Sequence, residues 1–324
     1  MDKTYLAIAV TPKCNYRCKY CFDFSNPTTG ENRHSRATEL PAEEIIRIAR
    51  CAYDEGIRKY RITGGEPLIR PDLTTILQGI AQEDVKINLV TNGLKLHWHL
   101  KDLAKINDIS VRISVDGFSE SLEKRMKPQI NSSIEKLKKY GIPTRINAVL
   151  TKTSILEIQD LIHYCADKEI DMKILDLYLF PFHPNGKTYW EKNYVSPSPI
   201  IQMLEKKADK IEAFTEDTSY GIPMKSYLLG KSRIIVKDSA QGTHFHPLCK
   251  DCPIFPCLEG FYAPLLTADG TLYPGGCWNP FMSKNLAYKP EKEARNAIKE
   301  LLKKFSETHH SKQLNTLLEK KLKK

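Results

Sequence analysis

Three thiols fall close together in the run Cys14-Asn15-Tyr16-Arg17-Cys18-Lys19-Tyr20-Cys21, at CxxxCxxC spacing. Thiolates on one short loop can ligate three irons of a 4Fe-4S cube, which leaves the fourth iron without a protein ligand. An open iron is a place for chemistry, unlike the four-cysteine closure of an electron-carrying ferredoxin. The competing reading is a structural zinc or three unrelated core thiols, but zinc favours a fourth ligand and CxxC pairs. A second group follows far downstream: Cys249-Lys250-Asp251-Cys252, then Cys257, then Cys277. Four thiolates suffice to close a second 4Fe-4S cube and equally suit zinc. Between Cys257 and Cys277, Leu266-Thr267-Ala268-Asp269-Gly270-Thr271-Leu272-Tyr273-Pro274 reads as strand, Asp-Gly turn and strand, a hairpin that returns Cys277 to the other three. Cys51 and Cys165, on helix-like stretches, read as buried small hydrophobes.

These thiols need elements to hold them. Tyr5 to Val10 is a nearly continuous apolar run that ends at Thr11-Pro12, where the cysteine loop begins; such a run suits a parallel strand covered on both faces. Polar residues Ser25 to Thr38 read as an exposed loop. Thereafter helical and strand patterns alternate: a helix from Pro41, strand Lys59–Thr63, helix Leu73–Gln82, strand Val85–Thr91, helix Leu100–Ile106, strand Ser110–Val115, helix Ile134–Tyr140, strand Thr144–Leu150, helix Ile155–Lys168 and strand Met172–Phe180. This order favours a parallel sheet with helical crossovers, whose functional loops lie at the C-terminal strand ends. By itself it permits an open sheet or a partial barrel. Pro181-Phe182-His183-Pro184 and Ser196-Pro197-Ser198-Pro199 interrupt the pattern. Ile200 to Ala213 reads as a helix, Ile234 to Lys237 as a short strand, and Glu291 to Lys324 as a basic helix whose apolar positions Ala294, Ile298, Leu301, Leu302 and Phe305 face the barrel.

The chain has 324 residues, 41% of them hydrophobic, and a formal net charge of +10. It holds no apolar run long enough to span a bilayer, and no secretory pattern opens it, so the expectation is a cytoplasmic protein without membrane contact. Nine cysteines at metal-ligand spacings argue against a disulfide framework. Positive charge attracts anions: a nucleotide, an acidic peptide, or an acidic reductant protein such as flavodoxin or ferredoxin. Nucleic acid is disfavoured, since the lysines are dispersed and no zinc finger or RNP-type motif accompanies them.

Together with the cysteine loop, Thr63-Gly64-Gly65-Glu66-Pro67, Leu89-Val90-Thr91-Asn92-Gly93, Ile113-Ser114-Val115-Asp116-Gly117 and Arg145-Ile146-Asn147-Ala148-Val149-Leu150 resemble the radical S-adenosylmethionine (SAM) enzymes, in order and wording most similar to the molybdenum-cofactor GTP 3′,8-cyclase family. The resemblance implies a partial (β/α)6 TIM-type barrel with a C-terminal twitch-like (SPASM-type) auxiliary 4Fe-4S domain and a terminal helix. With the pattern breaks at Pro181–Pro184 and Ser196–Pro199, the expected division is a barrel (1–182), a connecting helical segment (183–233), the auxiliary domain (234–290) and the basic helix (291–324). The resemblance implies that Cys14, Cys18 and Cys21 hold a catalytic cluster that delivers an electron to SAM, releasing a 5′-deoxyadenosyl radical that abstracts hydrogen from a substrate. It assigns SAM binding to Gly64, Gly65, Glu66 and Pro67, with Glu66 accepting from the ammonium, and to a group at strand ends, Thr91, Asn92, Ser114, Asp116 and Asn147. Aromatic Tyr16, Tyr20 and Phe22 flank the thiols and are placed to shield the cluster and stack near adenine. Cys249, Cys252, Cys257 and Cys277 are assigned to the auxiliary cluster.

The chain also departs from that family. The cyclases have three cysteines in the second group and arginines for triphosphate beside the Thr-Ala-Asp-Gly hairpin; this chain has four cysteines and reads Tyr262-Ala263-Pro264-Leu265-Leu266 there. Losing guanidinium groups removes the bidentate contacts a triphosphate uses, which disfavours GTP. The leading expectation is therefore cross-linking or epimerisation of a ribosomally made precursor peptide, although no leader-recognition domain precedes Tyr5. The alternatives are radical modification of a nucleotide, sugar or antibiotic intermediate, and a zinc-bearing, non-catalytic scaffold.

Overall fold

The alternation along the first half of the chain is met by six parallel strands that pair in sequence order. The computed structural model describes residues 4–21, 38–122, 124–179, 185–214, 220–252, 257–277 and 279–312; the polar segment 25–37 and Phe22 lie outside them. The barrel elements are β1 (Leu6–Ala9), α1 (Ala42–Asp54), β2 (Lys59–Thr63), α2 (Leu73–Ile80), β3 (Lys86–Thr91), α3 (Leu96–Leu103), β4 (Ile109–Ser114), α4 (Pro128–Lys139), β5 (Thr144–Leu150), α5 (Ile158–Lys168) and β6 (Asp171–Asp176). This is the mixed α/β, partial-barrel fold that the resemblance implied.

Each strand from β2 to β6 sorts its residues by period two. Tyr60, Ile62, Ile87, Leu89, Val111, Ile113, Ile146, Ala148, Met172 and Ile174 form one buried core with the helices. The opposite face presents Arg61, Arg112, Arg145, Asn147 and Lys173 to a cavity inside the sheet. A barrel interior is ordinarily packed with branched apolar side chains; here it is lined by cations. Burying Ile62 fully contributes about 2 kcal/mol, and an aspartate there would break the contact between the sheet and its helices.

The open barrel is extended at both ends by later chain. After α6 (Gly186–Asn193) and α7 (Ser198–Lys207) come β7 (Lys210–Phe214), β8 (Met224–Leu229), β9 (Ser232–Val236), β10 (Thr243–Phe245), β11 (Leu265–Leu266), β12 (Thr271–Tyr273), β13 (Lys284–Asn285), α8 (Glu291–Ser306) and β14 (His309–Ser311). The strand order is β13-β12-β11-β1-β2-β3-β4-β5-β6-β9-β8-β7, with β10 and β14 in a separate antiparallel pair. The helix expected to reach Ala213 stops at Lys207, because Lys210–Phe214 pairs antiparallel with β8 instead; its alternating sequence fits a strand equally well. The tail helix also ends early, at Ser306, and His309–Ser311 pairs with β10. Its predicted face is buried at Ala294, Ile298, Leu301 and Phe305 and packs on α1. The expected hairpin is present, with β11 antiparallel to β12.

Candidate active site

The backbone after β1 turns back along the glycine motif. Gly65 N–H donates to the Thr11 carbonyl (2.7 Å) and Glu66 N–H to that of Lys13 (2.8 Å). A Cβ at Gly65 would lie 2.0 Å from the Lys13 oxygen, and one at Gly64, where φ is +136°, 2.4 Å from the Thr11 oxygen. The two glycines thus admit the backbone of the cysteine loop itself, a closer neighbour than the ligand expected from sequence, though both also line the cavity. The buried Arg70 guanidinium fixes the end of β1 by donating to the carbonyls of Val10 and, at 2.8 Å, Leu40, while its Nε holds Asp72 (2.7 Å).

Cys14, Cys18 and Cys21 are reduced thiols outside any disulfide, the middle one buried, and all three line the cavity. Tyr16 N–H donates to Cys14 Sγ at 3.4 Å. Burial pushes the Cys14 thiol up, so its thiolate calls for a metal or a cation. Lys124 supplies positive charge: burial works against it, but Asp116 and the three cysteines outweigh that and hold it above the ordinary lysine value. Three reduced thiols on one loop, a backbone N–H on sulfur and a facing cation fit an iron–sulfur cluster.

The strand ends interlock with this loop. Glu66 is buried and accepts from Thr91 Oγ1 (2.6 Å), Asn92 N–H (2.6 Å) and Leu68 N–H (3.0 Å). These use three of about four acceptor positions on a carboxylate. Burial nonetheless pushes its carboxyl up against those bonds. The Asn92 amide donates to Asn15 Oδ1 at 2.8 Å, tying β3 to the cysteine loop. Asp116 accepts from Val149 N–H at 2.8 Å and from the Tyr20 hydroxyl, joining β4, β5 and that loop. Thr91 and Ser114 end their strands, whereas Asn147 lies within β5, in register with Ser114. Every predicted SAM residue that the structure describes lines the cavity except Pro67, which opens a 3-10 turn that Glu66 caps.

The cavity, about 570 Å³, is continuous from the three cysteines past the strand ends to Arg61, Arg112, Arg145 and Lys173, and on to Lys237, His244 and Glu259. The sequence reading missed these interior cations. Arg112 and Arg145 face each other in register, as do Asn147 and Lys173. Arg145 Nε donates to Asn147 Oδ1 at 3.1 Å, and the carboxylates of Asp176 and Glu259 line the same cavity. The guanidinium of Arg61 stacks 4.0 Å from the Tyr5 ring centre. Lys237 bridges Glu259 (2.6 Å) and Asp176 (3.3 Å), which outweigh the cost of burial and hold it above the usual lysine value.

Cys249, Cys252, Cys257 and Cys277 are also free and close enough to interact electrostatically. Burial pushes the thiols of Cys257 to about 11 and Cys277 to about 12. Gly260 N–H donates to Cys257 Sγ at 3.3 Å, and Asn279 Nδ2 lies 3.8 Å from Cys252 Sγ. Gly276, beside Cys277, reaches the cavity wall. Cys51 and Cys165 are buried in the core, away from the cavity lining.

The radical SAM superfamily model matches residues 8–165. The GTP 3′,8-cyclase of Helicobacter pylori (strain HPAG1) is 31% identical over 267 residues, 78% of this chain and 80% of that protein. The probable GTP 3′,8-cyclase of Methanococcus vannielii is 28% identical over 281 residues, 82% and 85%. Streptococcus suis SuiB bound to precursor peptide SuiA superposes with a TM-score of 0.59 at 18% identity, over 92% of this chain but 66% of SuiB, so the chain spans just under two thirds of SuiB. anSMEcpe with bound AdoMet superposes with a TM-score of 0.56 at 14% identity, over 93% of this chain and 82% of that one. At such identities the likeness is one of fold. No described helix is long and apolar enough to cross a membrane.

Proposed function

The chain belongs to the radical SAM superfamily, and on that premise we propose that this enzyme abstracts hydrogen from a small anionic molecule, a phosphorylated nucleotide or sugar, seated in the cation-lined barrel. The observation that carries the proposal is the single cavity running from Cys14, Cys18 and Cys21 to Arg61, Arg112, Arg145 and Lys173. The curated relatives above are GTP 3′,8-cyclases, which favours a cyclase-like reaction on a small molecule over the precursor peptide expected first. The peptide-associated neighbour SuiB resembles this chain at the level of fold. At the hairpin the wall is apolar, with Leu265 on the cavity, so the anion's contacts come from the strands.

When bound, the 4Fe-4S cluster and SAM supply the one-electron reduction that yields a 5′-deoxyadenosyl radical. The chain's own residues do the rest. Cys14, Cys18 and Cys21 would hold the cluster, with Tyr16, buried in the same loop, excluding water beside them. Gly64, Gly65, Glu66, Thr91, Asn92, Ser114, Asp116 and Asn147 orient SAM around the cavity, with the fourth acceptor position of Glu66 directed to the ammonium. Arg112, Arg145 and Lys173 hold the substrate's anionic group, so that binding energy remote from the reacting carbon positions it. Cys249, Cys252, Cys257 and Cys277, within an auxiliary unit spanning 234–290, would hold a second cluster, which would supply electron relay or substrate positioning. Thiols whose pKa burial has raised ionise readily only on a metal.

Anaerobic reconstitution followed by iron counting and a 5′-deoxyadenosine assay tests this. The expectation is about eight irons, two cubes of four, with deoxyadenosine formed from SAM and dithionite. Cys18→Ala abolishes that product; Cys257→Ala keeps it but uncouples it from substrate. Pooled nucleotides and sugar phosphates accelerate deoxyadenosine formation, and a paired Arg112→Ala, Lys173→Ala variant loses the acceleration while keeping the basal rate. Acceleration by peptides alone would refute the anion assignment.

A further inference from the structure

A half-buried imidazole stands on the cavity wall among the ions. His244, on β10, lines the cavity together with Tyr220, Gly221 and Tyr262. Its backbone is held on both sides. β10 pairs with β14, which sets His244 opposite His310, and Phe261 N–H donates to the His244 carbonyl at 2.8 Å. Thr243 Oγ1 donates to the Glu259 carbonyl at 2.6 Å, which ties the strand to the segment after Cys257. The ring is wedged edge-on between Tyr220, with centres 5.7 Å apart, and His310, with centres 5.4 Å apart. This packing leaves the ring little freedom to turn.

The same packing fixes which nitrogen carries the proton. Nδ1 lies 3.0 Å from the Gly221 carbonyl oxygen, which can only accept, so in the neutral ring Nδ1 is the N–H and Nε2 keeps its lone pair. Gly221 can sit there because its φ is +83° and it has no Cβ, which would lie 2.7 Å from Tyr262 Cβ. Burial, aided by His310 and His309, holds the His244 imidazole below its ordinary value against the pull of the Gly221 bond, so the ring is neutral at pH 7. Among the described residues no group bonds Nε2. Asp176 and Glu259, acceptors on the same cavity, are already engaged by Lys237. We propose that His244 is a positioning and specificity residue whose Nε2 accepts a hydrogen bond from an O–H or N–H of the substrate, which is thus an anion that also carries a neutral donor, such as a sugar hydroxyl or a base N–H. The proposal rests on the anionic-substrate reading above. Arg112, Arg145 and Lys173 select for charge alone, whereas a fixed acceptor left empty rejects an analogue that lacks the donor.

The test follows 5′-deoxyadenosine formation by the reconstituted enzyme as GTP, UDP-glucose or glucose 6-phosphate is added, each alone, with SAM and dithionite. Two amides separate the two edges of the ring. His244→Gln sets a carbonyl oxygen near the place of Nε2, and His244→Asn sets an N–H near that of Nδ1, where it can still meet Gly221. For the accelerating anion, His244→Asn raises the half-saturating concentration about fivefold or more, the worth of one lost neutral hydrogen bond, while His244→Gln stays within about twofold of wild type. In the wild type that concentration also rises as pH falls from about 7.5 to about 5.5, because an imidazolium has no lone pair to offer. The groups that titrate beside the ring, His309, His310 and Tyr220, and the phosphate of the probe are common to His244→Gln, in which this rise is absent. Equal effects of the two variants, recovery by Asn instead of Gln, or the same pH dependence in wild type and His244→Gln overturns the proposal and leaves the ring an anchor for Gly221. A long-range 1H–15N spectrum of histidine-labelled enzyme, assigned by the signal lost in His244→Gln, overturns it equally if the proton lies on Nε2. If none of the three anions accelerates the wild type, the anionic-substrate reading itself fails.

Discussion

Gly65→Ala isolates the packing of the cysteine loop on the glycine motif. The new Cβ would lie 2.0 Å from the Lys13 carbonyl oxygen and 2.7 Å from that of Pro12, both backbone atoms that no rotamer can move. To reach the 3.4 Å of an ordinary contact the loop must retreat about 1.4 Å. The bonds from Gly65 N–H to Thr11 and from Glu66 N–H to Lys13, at 2.7 and 2.8 Å, are then lost, at about 1 kcal/mol each. Overpacking adds about 1–3 kcal/mol. The expected cost is therefore about 3–5 kcal/mol in urea denaturation of the metal-free protein, with reduced iron after reconstitution because the thiols move with the loop. Gly141→Ala is the control: φ is +67°, but nothing lies within 4 Å of the added carbon, so only the left-handed backbone penalty of about 1–2 kcal/mol applies. If Gly65→Ala matches Gly141→Ala in stability and holds full iron, the loop does not pack on the motif as described.

Tyr16 is buried, and its hydroxyl has no hydrogen-bond partner among the described residues. Tyr16→Phe should leave the metal-free protein as stable or up to about 1 kcal/mol more stable; a loss above 1 kcal/mol would mean the hydroxyl is bonded. Arg47's hydrogen bonds, aided by Tyr288 N–H, hold the buried Glu44 carboxyl below the usual range. A depressed carboxylate contributes stability above its unfolded value, about 4.3, and loses it as pH falls through the folded value. The wild type should thus lose stability faster than Glu44→Gln on acidification below about pH 4.3, and parallel acid titrations of the two would contradict this.

Much of the barrel was legible because parallel strands between amphipathic helices leave strong periodic signals, and the SAM motifs fall at places that loops after strands must occupy. The interior cations carried a signal that went unused: Lys-Tyr-Arg-Ile-Thr in β2 and Thr-Arg-Ile-Asn-Ala in β5 alternate polar with apolar, where a barrel filled by side chains would show none. The β7 strand was read as helix since its few residues follow a genuine helix without a break signal; only pairing with β8, a tertiary fact, decides between them. The glycines of the motif were read as making room for a ligand. What crowds them is backbone from residues 11–13, and no local pattern discloses which distant segment will approach.

The same long-range pairing couples the second cysteine group to the barrel. Glu259 lies two residues beyond Cys257, and its carboxylate holds Lys237, which follows β9 and reaches Asp176 at the end of β6. The Lys237 and Glu259 side chains are 14% and 9% exposed and that of Asp176 is fully buried, so the network is largely removed from water. Removing one member of such a network strands a charge and costs about 3–5 kcal/mol, whereas replacing the ion pair by apolar groups is often nearly neutral. Glu259→Ala should therefore destabilise the protein by about 3 kcal/mol or more. Adding Lys237→Met should recover part of that loss, even though Asp176 then loses its cation. A denaturation cycle over the wild type, both single variants and the double variant measures the coupling. If the double variant is no more stable than Glu259→Ala, the ammonium is not stranded when Glu259 goes, and the bridge does not join the second cysteine group to the barrel strand that shapes the cavity.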